Sequence, residues 1–324
     1  MRCSPPSLVR AALVGLVLAL GATALDAGES PGRLRLGKPH RMKVTHTTRV
    51  KVDAGTARLI VWHAAPLRRE WPGLDGPLGA TEVSFRPAAA REAATRSEGG
   101  LAWKWELAEP AAGEMDFVST FELTSFDREL RTTGLVVKWA ELPAHEAEVM
   151  KGLPALPTPN ERIREAAAEI RRKSKDVVAA LEACAAWVSR SIAYAPGASY
   201  ASDDLDAICR GAGGHCGHRA TVYLALCKAL GIPARRVIGY AFLNGPPGGA
   251  GTDDGNRHVW VQVSLPTLGW VEVEPAPHGS PFAIAYPFVM GPFDLQSRFL
   301  DSASKDGAPS ARIVSDTLRM EERK

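Results

Sequence analysis

The run GGHCGHRATVYLALCKALGIPARRVIGY, residues 213–240, sets Cys216 among glycines, between His215 and His218, at the head of a helical pattern. Three chemistries suit such a cysteine: metal ligation, a disulfide, or nucleophilic attack. A metal site would use His215, Cys216 and His218, with Cys209 as a fourth ligand. Adjacent residues point in different directions, however, and no Cys-x-x-Cys pair is present, so this spacing is poor for a tetrahedral ion. A Cys209–Cys216 disulfide would close a short step across flexible glycines, which geometry permits. A nucleophile would profit from the helix start, where the macrodipole favours thiolate and free N–H groups can hold an oxyanion. Glycines there also let a substrate backbone come close. From this stretch alone, the three readings and that of a plain structural cysteine all stay open.

Working outward, the other cysteines fall into core phases. A helix expected over about 176–193 carries Val177, Leu181, Cys184, Val188 and Ile192 at gaps of three and four, which is one buried face. A helix expected over about 216–230 turns Ala220, Tyr223, Leu224, Cys227 and Leu230 inward. Asn160 is placed to cap a further helix over ERIREAAAEIRRK, residues 161–173.

A thiolate nucleophile needs a base, and the base an orienting acid. His258 opens the strand-like HVWVQVSL, and WVEVEPA follows a turn at Pro266 to Gly269. Folding the two runs into a hairpin brings His258 and Glu274 near register, so their side chains can be neighbours.

These linked motifs resemble the transglutaminase-like core, a branch of the papain-like cysteine protease superfamily. The shared pattern is a Gly-x-Cys at a helix start and a G-I-P-A-R turn into a strand, then a His-x-Trp strand and a G-W-x-x-x-acid-Pro strand. It spans about residues 160–277. The resemblance implies Cys216 as nucleophile, His258 as base and Glu274 at the acidic position, where the family usually has Asp. It implies acyl transfer from an amide of a peptide or protein, with His215, Gly217, His218 and Trp260 as candidate substrate contacts. No cofactor and no metal are expected. Gly217 stands where cross-linking transglutaminases typically carry a Trp, and GPPGGAGTDDGN before His258 reads as an open loop, so hydrolysis is expected to exceed amine transfer. A protein-glutamine amine transferase and a catalytically inactive binding scaffold are the alternatives. Asp253 and Asp254 lack the spacing of a calcium loop.

Elsewhere the chain is ordinary. Its 324 residues are 45% hydrophobic and 23% charged with net charge +3, which excludes a nucleic-acid binder built on a basic face. Arg2 and Arg10 frame the apolar run 11–20, and Ala22 and Ala24 fit an A-x-A cleavage site, so 1–24 reads as a signal peptide. An exported protein, periplasmic or extracellular and not held in a membrane after cleavage, is expected.

From 33 to 150 the pattern is β. LAWKWEL alternates Leu101, Trp103, Trp105 and Leu107 against polar partners, which suggests a small β-sandwich. The Pro-rich 151–160 reads as a linker, 161–280 as the catalytic core and 281–324 as an extension. The expected fold class is therefore α+β, with helices packed on an antiparallel sheet and a β-sandwich in front.

Overall fold

The computed structural model describes residues 34–66, 81–87, 91–94, 101–151, 155–199, 201, 203–211, 213–241, 257–266, 268–277, 279–284, 288–289 and 300–323. The expected signal peptide and the loop before His258 lie outside them. Among the described residues, six strands come first: β1 (Leu34–Val52), β2 (Thr56–Ala64), β3 (Thr81–Arg86), β4 (Arg91–Ala94), β5 (Leu101–Ala108) and β6 (Gly113–Leu130). Five α-helices follow: α1 (Leu142–Val149), α2 (Glu161–Lys173), α3 (Val177–Ser191), α4 (Leu205–Arg210) and α5 (Cys216–Leu230). The remaining strands are β7 (Ala234–Tyr240), β8 (Arg257–Leu265), β9 (Gly269–Val273), β10 (Ala283–Ile284), β11 (Phe288–Val289), β12 (Leu300–Ser304) and β13 (Ala311–Arg323).

The early strands form two antiparallel sheets, one ordered β10-β6-β1-β13 with β3 also on β6, the other β12-β2-β5-β4. Strand alternation builds the interior between them: Val50 and Val52 from β1 and Phe117 from β6 meet Leu59, Val61 and Trp105 from the facing sheet. The tryptophan stripe points inward, with Trp103 and Trp105 both buried. Two boundaries differ from the sequence reading. Strands stop at Leu130, and the chain turns helical from Trp139 on. The segment read as an extension instead supplies β12 and β13, which pair with β2 and β1. Ile313 and Val314 are exposed and a register shift lies opposite them, so β13 shows no clean apolar alternation in sequence.

The helical half is built around α5. It is buried on almost every side, packed by α2, α3 and α4 and lying on β7 and β8. A helix without a polar face belongs in an interior. The caps that fix its neighbours are local: Asn160 accepts from the Ile163 amide, Asp176 from Ala179 and Asp204 from Ala207. At its far end Gly231, with φ of 67°, takes the left-handed turn that lets the chain reverse into β7. Cys184 and Cys227 sit in this core at 0% exposure.

The core sheet is antiparallel, in the order β11-β7-β8-β9. Arg128 of β6 reaches across from the sandwich to Glu272 of β9 at 3.1 Å, with both side chains buried. Gln262 donates to the same carboxylate oxygen at 3.1 Å. Removing one partner of such a buried pair costs about 3–5 kcal/mol. The contact therefore holds the strand that precedes Glu274 against the sandwich. No helix among the described residues is long and apolar enough to cross a membrane.

Candidate active site

Cys216 is the first residue of α5, so its N–H has no intrahelical acceptor. The turn is held by two histidines. The His215 amide donates to Nδ1 of His218, and the Gly217 amide donates to Nδ1 of His215, both at 3.1 Å. The rings lie 3.8 Å apart. This reciprocal cap aims Cys216 away from the helix body.

The glycines before it serve a different purpose from the one expected. Gly214 bridges Tyr194, its amide donates to Ala193 at 2.8 Å, and its carbonyl accepts from Ala195 at 3.0 Å. A Cβ on Gly214 would lie 2.5 Å from Cβ of His218, and one on Gly213 would lie 2.6 Å from the Ala193 carbonyl oxygen. Tight packing of the loop on the end of α3, more than substrate approach, requires glycine there.

His258 enters from β8 and Glu274 from just past β9. The ladder sets Val261 opposite Val273. Extending it sets Glu274 opposite Trp260, which makes His258 its diagonal neighbour on the same face. Nε2 of His258 and Oε2 of Glu274 are 2.6 Å apart. The Cys216 thiol lies beside the same ring, close enough for thiol and imidazole to act on each other. The backbone of Val259 also acts on the thiol.

The electrostatics follow from these contacts. Burial would push the Cys216 thiol up, but the hydrogen bond and charge of His258 and the Val259 amide outweigh it and bring it below its ordinary value. Burial would push His258 down; its bonds to Cys216 and Glu274 overcome this and lift it to about 10. Burial alone pushes the Cys184 thiol well up. Cys227 is pushed up by burial and by the charge of Cys184, and burial dominates the rise at Cys209. An unpaired thiol beside an imidazolium, at a helix start and backed by a carboxylate, can act as a nucleophile with a proton donor at hand.

All four described cysteines are free thiols, so Cys209 and Cys216 are not bridged. His215 and His218 spend a ring nitrogen each on backbone amides, so they do not converge with Cys216 on a common ion. Of the four residues expected to meet substrate, Gly217, His218 and Trp260 are buried. His218 turns inward to make the cap, and Trp260 lies nearly parallel to His258, 6.0 Å from it, with its far side in an apolar cluster. Only His215 keeps exposed surface.

Two neighbours escaped the sequence reading. Arg219 donates to the Ile192 carbonyl at 3.1 Å, stands over the ring of Tyr194 at 5.2 Å, and lies close enough to feel the charges of Glu274 and Cys216. Tyr194 is 61% exposed and so presents an aromatic face beside the thiol's turn. Arg219 belongs to the cysteine motif itself; the role of Tyr194 needed the bridge to Gly214, which has no local sequence signal.

Residues 164–275 match the family model of the transglutaminase-like superfamily. This segment is similar to a transglutaminase-like core. Over 90% of the chain the fold resembles a candidate cysteine protease from Cytophaga hutchinsonii, with TM-score 0.61, 14% identity and 93% of that chain covered. At that identity the likeness concerns the fold. The periplasmic domain of TgpA from Pseudomonas aeruginosa aligns at TM-score 0.34 and 18% identity, over 68% of this chain and 90% of its own. The uncharacterized protein YebA of Bacillus subtilis (strain 168) is 37% identical over 70 residues, which is 19% of this chain and only 9% of YebA. Cys216, His258 and Glu274 all fall within the matched span.

Proposed function

We propose that the protein is an exported thiol enzyme that cleaves amide bonds of peptides or proteins through Cys216, His258 and Glu274. The observation that carries this is the imidazole of His258 held 2.6 Å from the Glu274 carboxylate, with the Cys216 thiol beside the same ring. The thiolate sulfur attacks the amide carbon, and the carbonyl electrons move onto oxygen. The Cys216 amide at the head of α5 stabilises that oxyanion. As the C–N bond breaks, the imidazolium of His258 gives its proton to the leaving amine, and a thioester remains. Neutral His258 then takes a proton from water as the water oxygen attacks the thioester. The acid leaves and the thiol returns. Glu274 keeps the ring turned toward Cys216 and stabilises its charged form.

Hydrolysis is favoured over amine transfer because Gly217, next to the nucleophile, provides no side chain to wall off water. Export rests on the N-terminal pattern of residues 1–24. The test is to incubate the purified protein with a peptide panel that includes glutamine peptides, with and without excess primary amine. Free acids as the main product, absent in Cys216→Ala, are expected. Mostly amine-conjugated products would make it a transferase, and no turnover of any peptide, with an unreactive Cys216, would leave a binding scaffold.

A further inference from the structure

Far from the thiol, the inward phase of β1 is interrupted by His46 and Thr48 between Val44 and Val50, all of them buried. His46 faces His63 of β2, with ring centroids 3.8 Å apart and planes 25° from parallel. Asp316 comes in from β13, and one donor atom from each of His46, His63 and Asp316 lies within 4.8 Å of the others. We propose that these three residues form a divalent metal site, of a type suited to zinc, that ties the two sheets of the sandwich together.

Two neutral imidazoles and a carboxylate are the donor set of many tetrahedral zinc sites, with the fourth place left to water or a hydroxyl. Here Nε2 of His46 is 2.8 Å from Oδ1 of Asp316, and Nε2 of His63 is 3.0 Å from the Thr48 hydroxyl, which itself donates to Oδ1 of Asp316. Both Nε2 atoms therefore lie near Oδ1 of Asp316, one directly and one through Thr48. Bond lengths near 2.1 Å would place tetrahedral donors about 3.4 Å apart, so the two stacked rings must tilt toward each other for their in-plane nitrogens to close on an ion. Behind His63, Ser119 is 2.8 Å from Nδ1. Such an outer partner fixes which nitrogen a metal-binding histidine presents.

The side chain of Asp316 is 26% exposed, which gives an ion a way in. Because β2 belongs to one sheet and β1 and β13 to the other, one ion would cross-link both.

The test is equilibrium dialysis of the chelator-treated full chain against zinc, together with the visible spectrum of its cobalt(II) form. One zinc per chain, a raised melting temperature and four-coordinate cobalt bands without a thiolate charge-transfer band are expected. Asp316→Asn and His63→Gln, checked for folding by circular dichroism, should each weaken zinc about 100-fold or more, while Cys216→Ala should not. The cobalt spectrum of the unmutated protein carries the test if a variant fails to fold. Absence of stoichiometric zinc, zinc retained in both variants, or a sulfur-to-cobalt band lost with Cys216→Ala would overturn the proposal.

Discussion

Glu274 meets His258 at 2.6 Å although no ladder pair joins them, because the hairpin register makes them diagonal neighbours. The longer glutamate side chain spans a diagonal that an aspartate would have to bridge with one carbon fewer. Glu274→Gln should fold normally yet lose kcat. The comparable Asp→Asn change in serine proteases costs about 10⁴, and a loss of roughly 10² or more is expected here, since the thiolate already favours the imidazolium. Glu274→Asp should retain more activity than Glu274→Gln. Steady-state kinetics on the best peptide of the panel decide the order, and equal kcat in all three proteins would remove Glu274 from the mechanism.

The same contacts set the pH dependence. His258 is carried up to about 10 by Cys216 and Glu274 in spite of its burial, while Cys216 is carried down by His258. The pair is charged between the two values. Acid protonates the thiolate, and base strips the proton that the leaving amine must receive. kcat/KM should therefore be bell-shaped, with its acid limb below the ordinary thiol range of about 8.5 and its alkaline limb near 10. Cys216→Ala removes one of the groups that raise His258, so a nuclear magnetic resonance titration of the ring should give a lower value in that variant.

The histidine cap makes a stability prediction. His218→Ala removes the acceptor for the His215 amide and empties a buried site, which should cost about 2 kcal/mol or more in denaturant unfolding. Gly214→Ala, whose Cβ would fall 2.5 Å from Cβ of His218, should cost about 1–3 kcal/mol by forcing the ring off its place. Both should depress activity beyond their effect on folding, because the cap aims the nucleophile. A Gly214→Ala protein with unchanged stability would show that the loop gives way easily.

Much of the core was legible because its signals are local. The Val-x-Val alternation of β8 and β9 around Pro266–Gly269 gave the hairpin, and the register of that hairpin gave the His258–Glu274 neighbourhood. The start of α5 at Cys216 and its end before Gly231 followed from glycines and apolar spacing. The burial of Val222, Ala225 and Leu226 on the other sides of that helix depended on α2, α3 and α4 closing around it. The strand at 311–323 was not legible, since it is a sheet edge that exposes Ile313 and Val314 and is broken by a register shift, so no two-residue apolar period survives. Nor was the meeting of His46, His63 and Asp316, which joins residues up to 270 positions apart through strand pairing alone. Trp260 and His218 were expected to meet substrate because they flank the motif residues; their burial depends on what packs behind them.

The most direct test of the central claim needs no substrate. The rate of alkylation of each cysteine is followed against pH by mass spectrometry, in the unmodified sequence and in His258→Ala. The account predicts that Cys216 alone reacts quickly well below pH 8.5, that Cys184, Cys209 and Cys227 stay slow, and that His258→Ala returns Cys216 to an ordinary thiol profile. A Cys216 that titrates near 8.5 in both proteins, or that reacts no faster than the buried cysteines, would contradict it.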